Sequence, residues 1–77
     1  MRVDSLHGFM ALVRDELGVA LSIPQDAHAE LADLPGWDSL NLLRLVVLLE
    51  ERGHPVAVHQ LLLARDLNDM FTLVKGR

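Results

Sequence analysis

Cysteine is absent from the 77 residues. Neither a disulfide framework nor a thiolate metal site can therefore stabilise the chain. Aromatic residues are scarce, at 4%, although 51% of residues are hydrophobic. The core must then be built mainly from Leu, Val and Ala, which suits packed helices better than a β-sandwich. Lysine occurs once, at Lys75, and eleven acids against seven bases leave a net charge of −4. Affinity for nucleic acid rests on clustered Lys and Arg, so this balance speaks against that partner. Long apolar runs are missing too. Leu45 to Leu49 is far short of the roughly 20 residues of a membrane span. The start, Met1-Arg2-Val3-Asp4, does not lead into the apolar stretch of a signal peptide. These absences predict a soluble, cytoplasmic protein with no nucleic-acid and no membrane partner, and a monomer is expected. A chain this short is expected to form one domain, 1–77, with little room for a deep pocket.

What is present is helical periodicity. Leu6, Phe9, Met10, Leu12, Val13 and Leu17 recur at helical spacing, with Arg14, Asp15 and Glu16 mostly off that stripe. Asp4 or Ser5 can cap this helix, and Gly18 is a natural stop. A second helix is predicted from about Ser39 to Arg52, ended by Gly53 and Pro55. A short helical segment follows at His59 to Ala64. A last helix is expected from about Asp66 to Lys75, with Leu67, Met70, Phe71 and Val74 on one stripe. Its terminal charges, Asp66 and Lys75, both suit the helix dipole.

Residues 19–37 form a connection that is long for so small a domain, and long ordered loops are often functional. A helical turn fits between Asp26 and Ala32, and Leu34-Pro35-Gly36 interrupts regular structure. Leu21, Ile23, Leu31, Leu34 and Trp37 are expected to pin the connection to the helices. The fold class is all-α: a small bundle of three main helices and one short helix, with a long loop between the first two main helices.

The second helix carries more apolar surface than a bundle stripe needs. If Leu42, Leu45, Val46 and Leu49 face the core, Leu40, Leu43 and Val47 fall on a flank. One reading makes this helix the most buried element. The other makes the flank a surface for a partner protein. The two are compatible.

Ser39 stands where the long loop meets that helix. Capping by Ser39 or Asp38 is the ordinary explanation. The same place offers unpaired backbone N–H groups and the positive end of the helix dipole, which would stabilise a phosphodiester on the serine.

The run Leu34-Pro35-Gly36-Trp37-Asp38-Ser39-Leu40 resembles the attachment site of acyl and peptidyl carrier proteins, whose core is often an Asp-Ser-Leu triplet opening the second helix. A lone triplet recurs by chance. Here the likeness extends to Asp26 and Leu31 upstream, to Glu50-Glu51 near the helix end, and to the closing segment Val56 to Val74. The resemblance implies 4'-phosphopantetheine, taken from coenzyme A onto Ser39, with Asp38 and Leu40 as its immediate neighbours. It implies a non-enzymatic carrier of acyl, aminoacyl or peptidyl thioesters. Its partners would be a phosphopantetheinyl transferase and an acyltransferase, adenylating enzyme or ketosynthase. The second helix is where such partners dock, so Trp37, Leu40, Leu43, Arg44, Val47, Glu50 and Glu51 are the candidate contacts. Packing of the long loop is the competing role for Trp37.

The chain departs from the fatty-acid type, whose second helix is strongly acidic. Arg44 and Arg52 interrupt that face here. Partners that read a continuous acidic surface would bind less well. The expectation is a free-standing carrier of polyketide or nonribosomal peptide biosynthesis, with general fatty-acid synthesis as the alternative. A cofactor-free helical interaction module and a small helix-turn-helix DNA binder are rivals of other classes. His7, His28, His54 and His59 lack paired metal-ligand spacing, so no metal site is expected. No Gly-x-Ser-x-Gly elbow surrounds Ser39, which speaks against nucleophilic catalysis.

Overall fold

The computed structural model describes residues 5–75. Its elements are α1 (Leu6–Leu17), two 3-10 turns (Gln25–His28 and Leu31–Asp33), α2 (Ser39–Glu51), α3 (Val58–Leu62) and α4 (Leu67–Lys75). Among the described residues there is no strand. The architecture is an all-α bundle of three main helices and one short helix, with the long connection between α1 and α2.

α1 begins at Ser5, whose backbone is extended and whose hydroxyl accepts from the Gly8 N–H at 3.1 Å. Asp4, the other candidate cap, lies outside the described residues. The helix ends at Gly18, at φ 72°. A left-handed residue there closes the helix at least cost when it lacks a Cβ. Phe9, Met10, Leu12, Val13 and Leu17 are buried, while Leu6 packs at the edge of the core.

The four helices share one core. α1 packs on α2 and α4, and α3 bridges α2 and α4. Leu45 and Leu49 of α2, Leu61 of α3, and Leu67 and Met70 of α4 are all fully enclosed. The Phe9 and Phe71 rings meet at 6.0 Å between centroids, tilted by 42°. α4 starts one residue later than its sequence suggests, because Asp66 caps it from outside. Asp66 Oδ1 accepts from the Asp69 N–H at 2.7 Å, and Asp69 Oδ2 accepts from the Arg65 N–H at 3.1 Å. This reciprocal pair resembles a capping box. α3 is shifted towards the N-terminus of its expected span, beginning at Val58 and giving way at Leu63.

The connection departs most from the sequence expectation. The single turn between Asp26 and Ala32 is in fact two 3-10 turns. Between them Ala29 and Glu30 are extended. The Leu31 N–H donates to the Arg65 carbonyl at 3.0 Å instead of continuing a local helix. A tertiary acceptor thus wins over the helical one. Leu31 and Leu34 are buried, and Leu21, Ile23 and Trp37 pack against the core, as their apolar character predicts. Val19 and Ala27 are buried as well.

Candidate functional site

The segment before α2 is built to a tight specification. The Trp37 N–H donates to the Leu34 carbonyl at 3.1 Å, closing a turn over Pro35 and Gly36. Gly36 has φ +90°, and a Cβ there would lie 3.1 Å from the Gly18 carbonyl oxygen. A side chain there would be strained by the dihedral and crowded against that backbone oxygen. The Ala20 N–H donates to the Pro35 carbonyl at 3.1 Å, so the turn is stitched to the chain just after α1.

From this turn the chain enters α2 through Asp38, whose backbone is extended. Asp38 Oδ1 accepts from the Asn41 N–H at 2.8 Å, and the Asp38 carbonyl accepts from the Leu42 N–H at 3.0 Å. Of the two possible caps, Asp38 is the one used. Ser39 is the first residue of the helix and is exposed. Capping does not occupy its hydroxyl, and the dipole end of α2 lies beneath it. Asp38→Ala should lower stability by about 1 kcal/mol, the usual loss for an acidic cap. Urea titration against wild type measures it, and an unchanged midpoint would show that the cap contributes nothing.

Beside Ser39 is a cleft of about 170 Å³, bounded by Trp37, Leu42, Leu61, Leu62 and Met70 among others. Its floor is core and its rim is exposed, so a flexible group on Ser39 has apolar wall on one side. Trp37 is half-buried there. Its packing role is what the structure displays.

Leu40, Leu43 and Val47 are 64%, 51% and 52% exposed. At about 100° per residue they occupy roughly a 60° arc of α2, continuous with Ser39. Leu42, Leu45 and Leu49 face inward. The helix is therefore central, and it exposes one apolar edge. Glu50 and Glu51 are exposed at the far end, about 16 Å along the axis from Ser39 at 1.5 Å per residue.

Arg44 is placed differently from the other candidate contacts. It is exposed, but its guanidinium turns towards the bundle. Nη1 donates to Asn41 Oδ1 at 3.1 Å, and Nη2 donates to the Glu16 carbonyl at 3.3 Å. Asn41, 7% exposed, is a buried polar residue that sequence reasoning missed. Its Nδ2 donates to the Gly36 carbonyl. Its spacing was a usable signal, because Asn41 lies four and eight residues before Leu45 and Leu49 on the inward stripe. Leu62 and Leu63 were also missed; they are 64% and 80% exposed. The run of Leu61 to Leu63 was a usable signal, since a helix this short cannot bury three successive side chains.

Among the described residues no group of three or more His, Cys, Asp and Glu side chains converges as a metal site. His28 Nδ1 lies 3.9 Å from Asp66 Oδ2, at the contact between the first 3-10 turn and α4. Among the described residues no helix is long and apolar enough to cross a membrane.

The bundle presents an exposed serine at the start of α2, beside a cleft of mixed lining. The family described as phosphopantetheine attachment site matches residues 7–74, and the chain belongs to that family. It is thus a carrier protein that holds intermediates as thioesters on covalently attached 4'-phosphopantetheine. No curated protein and no solved structure matches the chain.

Proposed function

We propose that Ser39 bears the phosphopantetheine arm and that residues 1–77 act as one carrier domain. The observation that carries this reading is an exposed serine at the start of α2 whose hydroxyl is left over from capping. The chain's other serines fit less well. The Ser5 hydroxyl caps α1 and lies before the matched region, and Ser22 precedes a short 3-10 turn and opens no α-helix. The hydroxyl of Thr72 donates to the Asn68 carbonyl at 3.0 Å.

In this reading the Ser39 oxygen attacks the phosphorus of coenzyme A that bears the pantetheine. A new P–O bond forms, the pyrophosphate bond breaks, and adenosine 3',5'-bisphosphate leaves. The hydroxyl proton passes to a base on the transferase. The arm's thiol then supplies the thioester chemistry. Asp38 holds the first turn of α2, and Leu40 lines the surface next to the phosphodiester. The chain makes and breaks no bond of the cargo, and it works in the cytoplasm, where coenzyme A is available, as a monomer.

The strip Leu40, Leu43 and Val47, with Trp37 on one side and Glu50 and Glu51 at its end, is the docking face in this proposal. Its partners are the phosphopantetheinyl transferase and an acyltransferase, adenylating enzyme or ketosynthase. Acids are absent from α2 before Glu50. A face of that kind favours dedicated polyketide or nonribosomal peptide enzymes over partners that read a continuous acidic helix. Because Arg44 is engaged within the bundle, this preference rests on the apolar strip and the missing acids more than on Arg44's charge.

The test uses coenzyme A, a broad-specificity phosphopantetheinyl transferase and the purified chain. Intact mass should rise by one phosphopantetheine unit, and proteolytic mapping should place it on the peptide that contains Ser39. An unmodified chain, or a modified peptide elsewhere, would overturn the assignment.

A further inference from the structure

Arg44 looks at first like a docking charge, since it is an exposed cation in the middle of the proposed partner face. Its contacts tell a different story. The two terminal nitrogens of its guanidinium each find an acceptor inside the protein. Nη2 donates to the Glu16 carbonyl at 3.3 Å, near the C-terminus of α1. Carbonyls of the last turn lack helical partners, and a cation is favoured at that end of the dipole. Nη1 donates to Asn41 Oδ1 at 3.1 Å. This fixes the Asn41 amide so that Nδ2 points to the Gly36 carbonyl. The Asn41 backbone N–H meanwhile holds Asp38 Oδ1 at 2.8 Å. One buried residue thus grips the chain on both sides of Trp37, immediately before Ser39. Gly36 is in turn pressed against Gly18, two residues beyond Glu16.

We propose that Arg44 is a positioning residue for the attachment serine: it orients Asn41, Asn41 holds the 36–38 segment, and the two together lock the Ser39 turn to the end of α1. The proposal rests on the reading of Ser39 as the attachment site. Its consequence is that Arg44 governs how well the Ser39 oxygen is presented, not how tightly the carrier is bound. Only a planar fork reaches both acceptors at once. A lysine ammonium has the charge but not the geometry.

The experiment compares wild type, Arg44→Met, Arg44→Lys, Asn41→Ala and the Arg44→Met/Asn41→Ala pair as acceptors of phosphopantetheine from coenzyme A. Circular dichroism confirms that each is folded. A positioning role predicts that Arg44→Met and Asn41→Ala each lower kcat about five- to ten-fold, with KM within about two-fold. The double variant should be no worse than the poorer single, because the residues act as one unit. Arg44→Lys should resemble Arg44→Met. A raised KM at unchanged kcat, with Arg44→Lys restoring wild-type behaviour, would make Arg44 a docking charge and overturn the proposal. If Asn41→Ala does not fold, the contrast between Arg44→Met and Arg44→Lys still decides.

A second arm needs no transferase. In amide NMR of the unmodified chain, Arg44→Met should speed hydrogen exchange and broaden lines at Gly36 to Asn41 while α4 stays as in wild type. Unchanged amides there would overturn the lock whether or not the chain is modified. A wild-type chain that takes no arm at Ser39 would instead sink the functional assignment and leave the lock to this measurement.

Discussion

Ser39→Ala is expected to abolish the gain of a phosphopantetheine unit while leaving the bundle as stable as wild type, within about 0.5 kcal/mol. The two halves of this result come from two neighbouring residues. The substitution removes the oxygen that would accept the arm. It leaves Asp38 in place, and Asp38 Oδ1 is what satisfies the Asn41 N–H at the helix start. Alanine is also a good residue for the interior of a helix. The neighbouring change, Asp38→Ala, should do the reverse, lowering stability while the acceptor oxygen survives. Intact mass and urea titration on the pair therefore separate modification from capping. A residual gain of mass in Ser39→Ala would move the arm elsewhere, with Ser22 the remaining serine inside the matched region. A large loss of stability in Ser39→Ala would mean that Ser39 supports the helix start after all.

The second large effect contrasts two leucines of α2. Leu45→Ala should cost about 2–5 kcal/mol, because a fully enclosed side chain is replaced by a cavity. A domain of this size has little stability to spare against a typical total of about 5–15 kcal/mol, so the variant should be largely unfolded at modest urea. Leu43→Ala removes the same atoms two residues earlier. Leu43 is half in water, and its change in stability should stay within about 0.5–1 kcal/mol. Its effect should fall on partner binding, as a raised KM for the transferase. Urea midpoints and acceptor kinetics on the two variants check both parts. Equal destabilisation would show that the exposed strip is core, and the proposed docking face would be lost.

The pair also shows how much of the helix was legible in the sequence. At 3.6 residues per turn, Leu42, Leu45 and Leu49 cannot share a face with Leu40, Leu43 and Val47. Once the first set is inside, the second must lie on a flank. The same periodicity located α1 and α4, and the scarcity of aromatics and lack of cysteine agreed with a core of aliphatic side chains. Ser5 and Gly18 mark the ends of α1 by the chemistry of a hydroxyl cap and a residue without a Cβ. These features were readable because each depends on residues within one or two helical turns.

The site was legible in outline and not in its wiring. Asp38 and Ser39 are chemically equal candidates for the cap, and the sequence contains nothing that chooses between them. The choice is made by the direction of approach, which Gly36 sets by lying against Gly18 across the bundle. The 25–33 segment divides into two 3-10 turns because the Arg65 carbonyl, far along the chain, claims the Leu31 N–H. Arg44 turns inward because the end of α1 offers a carbonyl and Asn41 offers a second acceptor. The amino-acid sequence by itself determined the helical class, the faces of the helices and the position of the candidate serine, since these follow from local spacing and local chemistry. Only the tertiary structure decided which residue caps α2, where Arg44 points and how Ser39 is held. Those outcomes combine local hydrogen bonds with contacts to Glu16, Gly18 and Ala20, which lie far along the chain and which no local pattern encodes.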